Sequence, residues 1–384
     1  MDIDIYFQPI KTEEFPKNTL GYFTDFHTQD NFPFWEESDI AIIGVNEDRG
    51  TESNKGCAFG ADAIREELFG LYHHNKDIKI CDLGNIFPGA AVEDTYHAVS
   101  DVIQNLIKKN VFVVILGGSQ DITFANYKAY EKLEQTVNLV SIDSKFDLGN
   151  DEEDLSSSNF LSKIILHKPN YLFNYGHLGY QTYYVSPDET KLMNDLYFDY
   201  ARLGEIQEDV QNAEPLIRNA DILSVDVSSV RNSELSSNGN SGPNGFYGDE
   251  ICQLMRYAGM SDKLSSVGFY EFKPNTGASK MSAKLIGQMI WCLADGFANR
   301  KKDYPIGTKE KYKRYRVHVE GTEHELVFYK SDKTDRWWMD VPYPPDKRMR
   351  FERHHLVPCT YAEYKGSSDN EIPDLWWRTY RKLN

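Results

Sequence analysis

Cysteine is scarce and scattered in this chain: five residues (Cys57, Cys81, Cys252, Cys292, Cys359), odd in number and never spaced as CxxC. That excludes a disulfide scaffold and a zinc ribbon, and fits free, mostly buried thiols in a reducing compartment. No run approaches the roughly 18 apolar residues of a membrane helix, and the start "MDIDIYFQPIK" lacks a secretory apolar segment. A cytoplasmic protein without membrane insertion is expected. Positive charge is also in deficit. The net charge of −17 argues against a nucleic-acid partner. There is no internal repeat and no low-complexity tract.

What is present is a 384-residue chain, long enough for one large α/β domain with an appendage. Residues 1–38 read as an irregular lead-in. From Asp39 strands alternate with amphipathic helices: "DIAIIGV", "GADAIREELFGLY", "AVEDTYHAVSDVIQNLIKKN", "VVIL", "VNLVSID", "ADILSVDV", "LSSVGFYEF" and "SAKLIGQMIWCLADGFANR". This alternation over 39–301 predicts a doubly wound, mostly parallel sheet. After residue 302 "YRVHVEG", "HELVFYK" and "RWWMDV" alternate like antiparallel strands, so 302–384 reads as a β-rich extension. Residues 301–384 carry 18 Lys and Arg against 14 Asp and Glu, leaving the strongly acidic balance to the body. Four of six tryptophans (Trp337, Trp338, Trp376, Trp377) lie in this extension. They either pack onto the body or anchor a protein partner.

Three strand ends carry polar clusters. "VVILGGSQD" runs through two glycines into Ser119-Gln120-Asp121. There Asp121 is either part of a site or a simple cap of the next helix. "SIDSKFD" offers Asp143, Lys145 and Asp147 at alternate positions, and "SVDVSS" offers Asp226 and Ser228 in the same way. Alternate residues point to one side of a strand. In open α/β sheets the carboxyl ends of strands are where ligands bind. Carboxylates gathered on one rim repel one another unless a cation sits among them.

In order and register, these segments resemble the ureohydrolases, which include arginase, agmatinase and formimidoylglutamase. "GVNEDRGTESNKGCAFGADAIREEL" resembles the family's first motif, "GGSQD" its G-G-D-H-S, and "DSKFD" its D-A-H-x-D. "SVDVSSVRN" resembles its S-x-D-x-D-x-x-D-P, and "YEFKP" its E-V-x-P. The resemblance implies an arginase-like three-layer fold. It also implies a crevice in which the family holds two manganese ions around a bridging hydroxide that attacks an amidine or guanidinium carbon. The ligand positions carry over to Gln120, Asp143, Lys145, Asp147, Asp226 and Ser228, where the family has His, Asp, His, Asp, Asp and Asp. Half of the set survives. Gln120, Asp143, Asp147 and Asp226 offer a place for at most one magnesium, calcium or manganese ion. Lys145, a protonated ammonium, is expected to stand in for the second ion. The family's catalytic histidine follows S-G-N-x-H, and "SSSNFLS" places Leu161 there. The family's substrate-pairing glutamate is kept as Glu271, which faces either substrate or Lys145. His177 is the histidine nearest a strand end, and it reads as structural.

The sequence therefore predicts an arginase-fold pseudoenzyme that works by binding or assembly as a homo-oligomer, with no catalytic residue and no required cofactor. Its alternatives are a hydrolase of linear amidines using one residual metal site, and a non-hydrolysing sensor of a guanidinium-like ligand in a crevice that keeps Glu271.

Overall fold

A computed structural model describes residues 3–12, 14–75, 77–274, 279–305, 312–320, 325–347 and 351–384. Ten strands build the main sheet: β1 (Phe7–Gln8), β2 (Thr24–Phe26), β3 (Ile40–Val45), β4 (Ile80–Ile86), β5 (Phe112–Leu116), β6 (Val137–Ile142), β7 (Leu172–Tyr180), β8 (Asp199–Arg202), β9 (Ile222–Asp226) and β10 (Ser266–Tyr270). Their spatial order is β1-β4-β3-β5-β10-β9-β6-β7-β8, with β2 also on β4, and every pairing is parallel except that of β1. Strands β3, β5, β6, β9 and β10 are buried at every position, which is why their sequences are apolar runs rather than alternations. Helices cover both faces over two apolar clusters, giving the three layers expected.

The lead-in is not wholly irregular. Its β1 and β2 share the outer edge of β4, which closes that side of the sheet. Two-residue and three-residue strands carry no period, so composition gave no sign of them. Strands β4 and β8 were also unread, because "ICDLGNI" and "DYAR" interrupt apolar residues with polar ones.

Chain order and spatial order diverge at the centre. Strands β5 and β6 follow one another in sequence but are separated by β10 and β9. The carboxyl ends of four neighbouring strands, β5, β10, β9 and β6, therefore open onto one crevice. The turn out of β5 needs its glycines, since Gly117 and Gly118 sit at φ +80° and +77°. A Cβ on Gly118 would also come within 2.8 Å of the Glu47 carbonyl oxygen.

The extension forms a second, antiparallel sheet in the order β11 (Tyr312–His318), β12 (Glu325–Ser331), β13 (Trp337–Asp340), β14 (Leu356–Cys359). Helices Tyr361–Ser368 and Asp374–Leu383 follow. It is joined to the body by buried polar contacts. Arg218 donates to the carbonyls of Trp337 (3.2 Å) and Cys359 (3.5 Å), and Arg353 reaches Asp221 at 2.8 Å. Arg336 pairs with Glu214 (3.1 Å) and Arg378 with Asp199 (2.8 Å). The basic extension thus docks on the acidic body within the chain.

Of the two alternatives for the tryptophans, packing within the chain holds for three of the four. Trp337 and Trp376 fill the extension's own core, and Trp338 is buried at the junction with the Arg218 guanidinium 4.5 Å from its ring centre. These three are spent on internal packing and present nothing to a partner. Trp377 alone of the four is exposed, at 36%. Among the described residues no helix is long and apolar enough to cross a membrane.

Candidate functional site

The crevice, about 750 Å³, is lined by residues from the ends of β5, β6, β9 and β10 and by the loops after β3 and β6. At its floor Asp143, Asp147 and Asp226 are buried together with Gln120 and Ser228. The structure therefore brings together the residues that strand-end alternation had grouped.

Each carboxylate already has donors. Asp143 Oδ1 accepts from the Ser144 amide at 2.5 Å and lies 3.5 Å from Ser228 Oγ. Asp226 Oδ1 accepts from Ser228 N at 2.6 Å and Asn238 Nδ2 at 3.2 Å. In the amide orientation that satisfies both of its ends, Gln120 donates from Nε2 to Asp143 Oδ2 (3.2 Å) and Asp226 Oδ2 (3.3 Å). Lys145 Nζ lies 3.3 Å from Asp147 Oδ1, with 37% of its side chain exposed at the crevice wall.

Burial pushes the acids up. Asp143 and Asp226 lie well above the ordinary carboxyl range, driven first by desolvation and then by the neighbouring carboxylate: Asp147 for Asp143, Asp143 for Asp226. Asp147 is raised to about 6 by burial, against the pull of Lys145. Asp143 and Asp147 act on each other directly: the contact raises Asp143 and lowers Asp147, so Asp143 is the one that more readily keeps a proton. The same charges raise the Lys145 ammonium, Asp147 first and then Asp143 and Asp226, so it stays protonated. The Lys145 ammonium and the raised pKa values of the acids thus relieve the repulsion.

That donor chemistry does not fit two metal ions. A protonated amine has no lone pair to give, and the Gln120 amide meets both carboxylates with donor hydrogens in only one of its two orientations. The four-residue set Gln120, Asp143, Asp147 and Asp226 is assembled, but its facing atoms are occupied by these donors.

Glu271 directly follows β10 at φ +67°, a left-handed conformation rare for a side chain of its size, and Asp147 sits at φ +53°. The Glu271 carboxylate is held by Ser157 Oγ (2.6 Å), Asn54 Nδ2 (2.8 Å) and the Gln120 backbone N–H (3.0 Å). It therefore points to these groups and not into an ion pair with Lys145. Burial raises its pKa, and these hydrogen bonds pull the other way. Asp121 does not cap the helix Ile122–Glu131 with its side chain. Its carboxylate instead accepts from Tyr96 OH (2.5 Å) and Ser157 Oγ (3.3 Å), deep behind the crevice.

Leu161 is fully buried in an apolar cluster with Phe146 and Phe160. The position therefore belongs to the core and offers nothing to the crevice. His177 is structural: its Nε2 contacts the Asp143 carbonyl oxygen at 3.0 Å and its Nδ1 contacts Tyr175 OH at 2.9 Å. Burial lowers it to about 3, so it is neutral.

Asn54 and Ser157 were not singled out in the sequence. Each had a signal: "TESNKG" follows a strand mouth, and Ser157 begins the stretch aligned with S-G-N-x-H. Arg49, on the crevice wall, was missed too. Its guanidinium pairs with buried Glu47 at 2.5 Å, and both sit in the loop after β3.

A model of the Arginase family matches residues 38–295. A formimidoylglutamase of Staphylococcus aureus is 26% identical over 270 residues, covering 66% of this chain and 85% of its own. One from Macrococcus caseolyticus is 34% identical over 131 residues, of which the match spans 42% of that protein's length. Among solved structures, Trypanosoma cruzi formiminoglutamase with Mn2+2 superposes with a TM-score of 0.67 at 19% identity, over 75% of this chain and all of that one. Bacillus subtilis formimidoylglutamase gives 0.67 at 17% identity, covering 77% of this chain and 98% of its own. These structural likenesses establish the fold.

Proposed function

The chain belongs to the arginase family, and on that premise we propose that it is a degenerate member whose crevice binds or assembles rather than hydrolyses through two manganese ions. One observation carries this reading: Lys145 Nζ stands 3.3 Å from Asp147 Oδ1, in a cluster where the family resemblance puts a metal-ligating histidine. A fixed cation then does the electrostatic work of an ion without activating water. The core placement of Leu161 supports the same reading, since no proton carrier stands at that position. A homo-oligomer remains part of the proposal, and Trp377 is the one extension tryptophan left to contribute to a contact.

A second reading keeps catalysis: a hydrolase of a linear amidine using one metal ion at Gln120, Asp143, Asp147 and Asp226. The relatives favour it, because those covering two thirds of this chain carry the name formimidoylglutamase and a solved one carries manganese. On relatives alone it is the stronger reading; the donor chemistry at the three strand ends favours the first. An ion here would have to displace Lys145 from Asp147 and turn the Gln120 amide. A crevice that recognises a guanidinium-like ligand through Glu271 without cleaving it is a variant of the first reading.

Manganese loading of the full-length protein, followed by elemental analysis and by assays with formimidoylglutamate, agmatine and arginine, separates the two. The first reading expects at most one ion per chain and no turnover. Turnover with one ion establishes the second reading. Two tightly held ions defeat both.

A further inference from the structure

Cys252 stands in the helix Gly248–Gly259 and Cys292 in the helix Ser279–Ala298. The two helices flank β10 along the chain and pack backbone to backbone. A Cβ on Gly259 would come within 2.0 Å of the Leu293 carbonyl oxygen, and one on Gly296 within 2.3 Å of that of Arg256. This close crossing brings the two cysteines to the wall of one pocket, where each thiol acts on the titration of the other. Both are half-buried and line a surface pocket with Leu71, Tyr72, His74 and Trp291. Cys57, Cys81 and Cys359 differ, being buried in separate parts of the core.

The electrostatics separate the two groups further. The thiolate is the reactive form of cysteine. Desolvation pushes Cys57, Cys81 and Cys359 up, Cys81 to about 12. Cys292 is lowered, first by its interaction with Cys252, which outweighs burial and the Asp295 carboxylate, and last by Arg256. The pair therefore sets a thiol that ionises more readily than the other four beside a second thiol.

We propose that Cys252 and Cys292 form a redox-responsive dithiol, a modification site that hydrogen peroxide converts to a disulfide between the two helices. The Cys292 thiolate attacks one peroxide oxygen. The S–O bond forms, the O–O bond breaks, and the departing hydroxide takes a proton to become water, leaving a sulfenic acid. Cys252 sulfur then attacks Cys292 sulfur. The S–S bond forms, the S–O bond breaks, and the leaving hydroxide takes the Cys252 proton as a second water. Two thiols are oxidised for one peroxide reduced. The crosslink encloses the stretch that carries β10 and Glu271, so its two supporting helices become tied across the strand that ends in the crevice.

The test uses the reduced, full-length protein treated with limited hydrogen peroxide and then mapped by mass spectrometry. Titratable thiols in denaturant are expected to fall from five to three. A Cys252–Cys292 peptide should appear and vanish with dithiothreitol. Cys252→Ser should leave a sulfenic acid on Cys292 that dimedone traps, and Cys292→Ser should stop the reaction. Phenylarsine oxide, a probe for neighbouring thiols, should protect both cysteines from alkylation in the parent and neither in the variants. A crosslink between other cysteines or between chains overturns the proposal. So does sulfinic acid on Cys292 with Cys252 still free, or survival of all five thiols.

Discussion

Asp147 reaches Lys145 from a backbone held at φ +53°, its Oδ1 3.3 Å from Nζ, two residues along the same strand exit. Alternation alone would set the two side chains parallel, and the left-handed residue turns the carboxylate back onto the ammonium. Lys145→Ala removes the cation and leaves three buried acids facing one another. Breaking a fully buried pair costs about 3–5 kcal/mol, and partial exposure of Lys145 reduces the expected loss to roughly 1–3 kcal/mol. Manganese should raise the melting temperature of the variant more than that of the parent. A variant that melts like the parent, with or without manganese, would remove Lys145 from the cluster's energetics.

Leu161→His places an imidazole at the family's catalytic position. Because that position is sealed in the core, the variant is expected to lose roughly 2–4 kcal/mol of stability and to gain no amidine hydrolysis. Chemical denaturation and an ammonia-release assay measure the two effects. Restored turnover would show that the helix Phe160–Leu166 can face the crevice.

The junction between body and extension should be acid-labile. His354 is buried, stacked on Phe173 at 4.0 Å, and in contact with Thr136 Oγ1 through Nε2 at 2.9 Å. Desolvation lowers its pKa well below the ordinary value, and Lys263, Arg353 and Lys382 repel a further proton. A histidine held neutral stabilises the fold above its unfolded pKa, near 6.5, and that stability is lost as pH falls toward the folded value. Each pH unit below 6.5 should cost up to about 1.4 kcal/mol. His354→Phe should flatten the decline of melting temperature between about pH 7 and pH 5. An equal slope in parent and variant would place the acid sensitivity elsewhere.

Trp338→Ala and Trp377→Ala distinguish internal packing from an external anchor. Truncating buried Trp338 should cost roughly 3–5 kcal/mol and strip the cover from Arg218. Truncating Trp377 should cost about 1 kcal/mol or less. If Trp377→Ala alone changes the mass measured by light scattering, the exposed ring belongs to a subunit contact. Deleting 302–384 should cause aggregation, because Arg218, Asp221 and Asp199 lose buried partners. A soluble, cooperatively folding truncation would contradict the docking described above.

Much of the site was legible because strands impose a strict period. Asp143, Lys145 and Asp147 alternate, as do Asp226 and Ser228, and two glycines announce the turn before Gln120. Asn54 and Ser157 were not legible in this way. They lie in loops without period, and only their bonds to Glu271 give them a role.

The sequence by itself determined the parallel α/β body, the antiparallel extension and the residue types at the strand mouths, because burial on two faces and local turn chemistry are written in short-range pattern. Tertiary structure alone decided which atoms those residues turn to one another. The placing of β10 and β9 between β5 and β6 pairs residues such as Leu139 with Ile222 and Val113 with Ser266, far apart in the chain, and loop closure leaves little local trace of such a pairing. The same holds for the tryptophans. Their positions marked them as needing cover, but whether that cover is self or partner depends on a docking geometry built from Arg218, Asp221 and Asp199, which no local period encodes.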